Sequence, residues 1–148
     1  FAMHPQSPMQ KMVQEGTFVP LTDDEIVAEI RLLVHQLNSM HSYFSCNDFS
    51  LNLLMQVDGF LDQKKEERMK EQDAFLSLTK RQRQVYTLLH YAGYSRNPLS
   101  IVYDQKVLDQ VVPEIEKLER TNGEQGFDDY IRMLKTCQLP QPQTDHWS

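Results

Sequence analysis

The stretch LTDDEIVAEIRLLVHQLNSMH (residues 21–41) has the pattern of a helix together with its own start signal. Thr22 can accept a hydrogen bond from the backbone N–H of Glu25, and the Glu25 carboxylate can reach back to the N–H of Thr22, which makes a capping box. Leu21 and Ile26 occupy the positions of a hydrophobic staple. The apolar stripe that follows consists of Ile26, Ile30, Leu33, Val34, Leu37 and Met40. Because such a stripe needs a partner surface, the stretch predicts a helix packed within a helical domain.

A second capping box begins another helix further along the chain. Thr79 is followed three residues later by Gln82, whose side chain can return to the N–H of Thr79. The inward positions of this helix are Val85, Leu88, Leu89 and Ala92. Gly93 follows them as a natural residue for a helix end, so we expect the helix to stop there.

Three further helices are predicted from apolar spacing. One starts at Asn47 or Asp48, and its buried residues are Leu51, Leu54, Met55 and Leu61. Another covers 99–121, where Pro113 either kinks the helix or begins a new one. The last covers 127–137, and its buried residues are Phe127, Ile131 and Leu134. Thr121-Asn122-Gly123 should end the helix over 99–121.

The segment DQKKEERMKEQD (residues 62–73) is strongly charged and contains a single apolar residue, Met69. It could be a protruding coiled-coil arm. A heptad continued from Leu54 and Leu61, however, puts Lys65 and Gln72 at core positions, which a coiled coil tolerates poorly. A solvated helix or a connection between helices is therefore the better interpretation.

These patterns together predict an all-α fold, a compact bundle of five or six helices without a convincing strand. Leu99 to Tyr103 is the best strand candidate, and it is short. We expect three parts: a flexible N-terminal tail over 1–20, one helical-bundle domain over 21–138, and an extended Pro/Gln-rich tail over 139–148. The start at Phe1-Ala2-Met3 predicts a fragment of a longer protein, with residues 1–3 added for expression.

Composition excludes several classes of protein. The 148 residues carry a net charge of −6, which disfavours a general nucleic-acid binder or a binder of anionic membranes. No apolar run approaches the roughly 20 residues of a membrane span. We interpret Cys46 and Cys137 as reduced thiols in or near the core. The chain is therefore predicted to be intracellular, in the cytoplasm or the nucleus.

No motif points to catalysis, a metal or a cofactor, and we predict no enzyme. The five histidines form no H-E-x-x-H pattern, and neither a C-x-x-C nor a G-x-S-x-G motif is present. The segment Asn122 to Asp129 looks like a degraded EF-hand loop. Aligning Gly123 with the loop glycine puts Leu118 and Arg120 where carboxylate ligands belong, so calcium binding is not expected.

Residues 78–95, from Leu78-Thr79-Lys80-Arg81 to Gly93-Tyr94-Ser95, resemble the opening helix of the helix-turn-helix domains in quorum-sensing-type bacterial transcription regulators. That resemblance implies DNA binding through this region. The sequence departs from the family at Asn97-Pro98-Leu99, where the family begins its next helix with an acidic-centred motif. No later helix offers a basic, groove-facing surface.

The basic and aromatic residues of the same region are the best candidates for a binding surface. Positively charged side chains at the start of a helix interact unfavourably with the helix dipole, so their presence there suggests another role. Aromatic residues with a basic rim are typical of recognition surfaces. The candidates are Lys80, Arg81, Arg83, Tyr86, His90, Tyr91, Tyr94 and Arg96. The alternative is that the aromatics only complete the core.

We therefore predict a protein–protein interaction module of a larger intracellular, eukaryotic scaffold or regulatory protein. Its partner would be a helix or linear peptide, with an acidic one favoured by the basic rim, bound in a groove between helices. Two alternatives stay open. One is a nucleic-acid-binding domain using residues 79–96, and the other is a homo-oligomerisation domain.

Overall fold

A computed structural model describes residues 6–37, 40–45, 53, 59–94 and 98–137. Within these residues the fold is all-α, as predicted, with one very small sheet. The helices are α1 (Pro8–Gln14), α2 (Asp23–Gln36), α3 (Lys65–Leu76), α4 (Lys80–Leu89), α5 (Gln105–Asn122) and α6 (Glu124–Cys137). The strands are β1 (Tyr43–Phe44) and β2 (Gly59–Phe60). A π-helical turn, His90–Tyr94, follows α4, and a 3₁₀ helix, Leu99–Tyr103, precedes α5.

Both predicted capping boxes are confirmed. At α2 the Thr22 hydroxyl accepts from the Glu25 N–H at 3.3 Å, and the Glu25 carboxylate accepts from the Thr22 N–H at 2.8 Å. At α4 the same reciprocal pair joins Thr79 and Gln82, at 3.3 and 3.0 Å. Each box satisfies two backbone donors that a helix start otherwise leaves without partners.

Part of the predicted N-terminal tail is helical. Ser7 caps α1 by accepting from the N–H of Gln10, and Pro8 occupies the first helical position. Proline fits there because its missing N–H would have had no helical partner. None of the residues of α1 is buried.

The region after α2 differs from the prediction. Most of the helix expected from Asn47 or Asp48, including Leu51, Leu54 and Met55, lies outside the described residues, and Gly59 and Phe60 form a strand. β1 and β2 are antiparallel, with Tyr43 opposite Phe60. The Tyr43 ring meets the Phe60 ring edge-on at 5.3 Å. Such an aromatic contact across strands stabilises the pairing of β1 with β2. The apolar spacing of this region, which resembles that of a helix, did not predict the pairing.

The predicted end of the helix over 99–121 is confirmed, but its predicted start is wrong, because α5 begins at Gln105. Pro113 lies inside α5, which continues through it and is not split. Leu99–Tyr103 forms a 3₁₀ helix, so the strand candidate is not a strand. Gly93 interrupts the π-helical turn and Gly123 ends α5, with positive φ values of 100° and 59°. Glycine adopts such angles without the steric penalty that a side chain brings.

The buried residues form two clusters. The main cluster joins α2, α3, α4, α5 and α6, and its most buried members are Val27, Phe75, Val85, Val102 and Ile115. The smaller one is Val34, Leu61 and Met69. The buried stripe of α2 thus runs through Val27 and Val34, one heptad apart, and the predicted Leu33 and Met40 are 45% and 49% exposed. Among the described helices, none is long and apolar enough to cross a bilayer.

Candidate functional site

A groove of about 900 Å³ lies where α4, α5 and α6 come together. Its apolar lining comes from all three helices: Leu88, Leu89, Ala92, Val111, Leu118, Tyr130 and Met133. Its polar lining is Gln110, Glu114, Lys117, Thr121, Asn122 and Asp129, and Gly126 also lines it. Side chains that complete helical stripes therefore stay partly open to solvent here.

The positions of α5 and α6 set the shape of the groove. Gly126 lies against the Leu118 backbone, and a Cβ added at Gly126 would overlap the Leu118 carbonyl oxygen. The glycine therefore allows the two helices a close approach that no other residue permits. On the α6 wall, Met133 is 49% exposed and lies beside the other apolar residues of the groove.

Charge in the groove is largely balanced. The Lys117 ammonium lies 3.8 Å from the Glu114 carboxylate, and Arg132 donates to Asp129 at 2.9 Å. Since these groups are exposed and paired on their own helices, the groove presents an apolar surface with a polar border. A surface of this kind recognises a partner by apolar contact, with polar groups setting its orientation.

Three of the predicted basic residues, Lys80, Arg81 and Arg83, are paired within the fold. Arg83 donates to Asp24 at 2.6 Å, Arg81 donates to Glu119 at 2.9 Å, and Lys80 pairs with Glu124. Arg83 also donates to the carbonyl oxygen of Leu78. These bases connect α4 to α2, α5 and α6 through tertiary ion pairs, and their contact with an acidic partner stays a prediction.

Glu119 shows the effect of this pairing. Burial acts to raise its pKa, but hydrogen bonds from Gln84 and Arg81, together with the charges of Arg81 and Lys80, hold the pKa below its ordinary value. The carboxylate therefore stays ionised when the pH falls moderately. The basic start of α4 is in this way matched by an acidic surface on α5.

Of the predicted aromatic residues, Tyr86, His90 and Tyr91 lie outside the lining of the groove. Tyr91 is 2% exposed and His90 8%, and their rings meet edge-on at 4.8 Å. Tyr86 is half-buried against Phe75, and burial followed by the Glu71 charge raises its pKa. The side chain of Tyr94 and all of Arg96 lie outside the described residues. A partner-binding role for these residues stays a prediction.

Sequence reasoning missed a buried polar cluster beneath the start of α2. Asp23 accepts from the Tyr91 hydroxyl at 2.8 Å and from the Lys135 ammonium at 2.7 Å. The same ammonium lies 4.8 Å from the centre of the Tyr91 ring. One signal was available: Lys135 continues the buried positions Phe127 and Ile131 at steps of four.

The remaining predictions about chemistry concern metals and cysteines. Among the described residues, no three His, Cys, Asp or Glu side chains are placed to hold a metal ion. Cys137 is a free thiol, and it is exposed rather than near the core, because it lies in the last turn of α6. Cys46 lies outside the described residues. In comparisons with known proteins, no family model, curated protein or solved structure matches this chain.

Proposed function

We propose that this domain is a protein-interaction module of a larger intracellular regulatory or scaffold protein, and that the α4–α5–α6 groove binds one amphipathic helix of another protein. The observation that supports this most is the apolar lining shared by three helices. Helix-in-groove recognition uses such a surface, with apolar anchors at helical spacing entering it.

The length of the groove fits a helix. Along α5 the lining extends from Gln110 to Asn122, about 18 Å at 1.5 Å per residue. This is roughly three turns of a partner helix, enough for anchors at positions i, i+3 or i+4, and i+7. The exposed Met133 can adapt its flexible thioether to different anchors.

The balanced charge of the groove separates this proposal from the nucleic-acid alternative. Contacts with phosphate groups need lysine or arginine side chains that are not already paired with carboxylates, and such contacts make affinity fall steeply with salt. Lys80, Arg81 and Arg83 are engaged by carboxylates, whereas binding in the groove depends on apolar contact. We therefore expect binding of the partner helix to change little between low and moderate salt.

The test begins with a display library of amphipathic helical peptides selected on the intact chain. The selected peptide is then measured against Met133→Glu and against the matched control Leu32→Glu. Met133 and Leu32 are both 49% exposed, but Leu32 lies on α2, outside the groove. We expect a loss of at least about tenfold in affinity for Met133→Glu and little change for Leu32→Glu.

Three outcomes would contradict the proposal. They are failure to select any helical peptide, equal loss of affinity in both variants, and unchanged affinity in Met133→Glu. Sedimentation of the free chain tests the homo-oligomer alternative. A dimer of the wild type that Met133→Glu converts to monomer would assign the groove to a second copy instead.

A further inference from the structure

A second cavity, of about 270 Å³, lies on the other side of α4 and α6 from the groove. The start of α2 forms its third wall. On α6 the cavity is lined by Phe127, Asp128 and Ile131, whereas the groove is lined by Gly126, Tyr130 and Met133. The two sites therefore use different faces of the same helices, and an inference about the cavity does not rest on the function proposed for the groove.

The acidic residues that line the cavity are paired, with one exception. Asp23 is bonded to Lys135, Asp24 accepts from Arg83, and Glu124 pairs with Lys80. Asp128 makes no hydrogen bond or ion pair with any described residue, although its neighbour Asp129 is paired with Arg132. One carboxylate therefore faces the cavity with its charge uncompensated by direct contact.

The surroundings of Asp128 disfavour its charge. Burial raises the pKa of this carboxyl, and the charges of Asp129 and Asp23 raise it further, against the opposite effect of Arg132 and Lys80. An opposite charge within about 4–6 Å of such a carboxylate favours its ionised form.

The cavity is small, and three cationic side chains also line it: Lys80, Arg132 and Lys135, each of which is paired with a carboxylate other than Asp128. Its volume is below the roughly 300–1,000 Å³ of pockets for drug-sized ligands. Leu21, Phe127 and Ile131 supply apolar surface beside the carboxylate. An alkyl stem would contact these three residues while its charged end reaches Asp128, as amphipathic lysine side chains do elsewhere.

We propose that this cavity binds an alkylammonium group, with Asp128 as the carboxylate that receives it. The ligand can be a small primary amine or a lysine side chain of a polypeptide, since both present the same chemistry. Asp128 accepts from the ammonium, and Phe127 and Ile131 contact the alkyl stem.

The test is a titration of the intact ¹⁵N-labelled chain followed by amide chemical shifts. The probes are n-butylammonium, Nα-acetyl-lysine N-methylamide and, as the uncharged control, n-butanol. We expect saturable shifts at Phe127, Asp128 and Ile131 with the charged probes, with dissociation constants on the order of 1–10 mM for ligands this small. Saturation by butylammonium alone would assign the site to free amines, and saturation by both would include lysine side chains.

Two variants make the result specific. Asp128→Asn should abolish the saturable shifts, and Asp129→Asn, which removes the neighbouring exposed carboxylate, should keep them. Lowering the pH through the titration of Asp128 should weaken binding in the wild type, since the neutral carboxyl attracts a cation much less. The proposal is overturned if Asp128→Asn binds butylammonium like the wild type, or if butanol produces the same shifts. Met133→Glu should bind both charged probes normally, which separates this site from the groove.

Discussion

Lys135 is a buried cation that pairs with a buried carboxylate. Its side chain is 5% exposed, and it neutralises Asp23, which is 8% exposed. Replacing one partner of a buried ion pair leaves the other charge without compensation. We expect Lys135→Met to lower the free energy of unfolding by about 3–5 kcal/mol, measured by urea denaturation.

The matched control is Lys117→Met, because Lys117 forms an ion pair with Glu114 at the surface, where its side chain is 75% exposed. That change should stay within about 0.5 kcal/mol. The double variant Asp23→Asn/Lys135→Met should recover part of the loss. Equal effects of the two single lysine variants would contradict a stabilising role for the buried pair.

In contrast to the pair of Lys135 and Asp23, the ionised carboxylate of Asp128 destabilises the folded state. Its pKa is raised in the folded state, so the folded state binds a proton more readily than the unfolded state. The contribution of this group to stability therefore decreases as the pH rises through its folded pKa. We expect Asp128→Asn to be more stable than the wild type at neutral pH.

That gain should shrink as the pH is lowered toward the pKa of an unfolded aspartate. Thermal melts of wild type and Asp128→Asn across this range measure it, with Asp129→Asn as the control. Asp129→Asn removes an ion pair with Arg132 and should not stabilise the chain. A constant difference between Asp128→Asn and the wild type at all pH values would contradict the assignment.

The residue-scale features differ in how far the sequence predicts them. Capping by Thr22 and Thr79 depends on neighbours three residues away, so it could be predicted. The contact of Asp23 with Lys135 joins residues 112 positions apart, and Asp23 alone fits the ordinary acidic start of a helix. Long-range ion pairs of this kind depend on helix packing, which no local pattern records.

Among the helices, α5 and α6 depend on one glycine. Alanine favours a helix by about 1 kcal/mol over glycine, but a Cβ at Gly126 would meet the Leu118 carbonyl oxygen. We expect Gly126→Ala to destabilise the chain by about 1–3 kcal/mol, because α6 must move away from α5. Denaturant unfolding measures this change.

The control is Gln125→Ala, an exposed position on the same helix, which should be close to neutral. If Gly126→Ala stabilises the chain by the usual helix-propensity gain, the close approach of α5 and α6 is contradicted. The same variant should also weaken binding in the groove, because both of these helices line it.

The helices were predictable where their ends carry local chemistry. Thr79 marks the start of α4 through its backbone-donor cap, and Gly123 marks the end of α5 through its positive φ. The pairing of β1 with β2 was not predictable, since Tyr43 and Phe60 are 17 positions apart and the segment between them has helix-like apolar spacing. The helicity of α1 had a signal in Ser7 and Pro8 that the proline-rich composition obscured.

For the whole molecule, the sequence predicted a helical bundle, which the structure shows, and an interaction role with a candidate site that includes the bases of α4, which stays a prediction. The carboxylates that pair with Lys80, Arg81 and Arg83 lie on three different helices, far from these bases in sequence. The pairing therefore follows from the tertiary arrangement and from no local sequence pattern. The groove arises in the same way, because each of its walls is an ordinary amphipathic stripe. The sequence does not show which of these apolar stripes remain partly exposed to solvent in the folded bundle.

Methionine methyl groups provide the most direct test of the groove. The chain contains seven methionines, and Met133 lines the groove while Met9 and Met12 lie on α1. The measurement is a titration of the ¹³C-methyl-methionine-labelled chain with the selected helical peptide, at low and moderate salt, against a scrambled peptide. We predict a saturable shift of the Met133 methyl resonance, with unchanged resonances of Met9 and Met12. The affinity measured from this shift should be nearly independent of salt. Saturable shifts of Met9 or Met12 with a silent Met133 would contradict this prediction.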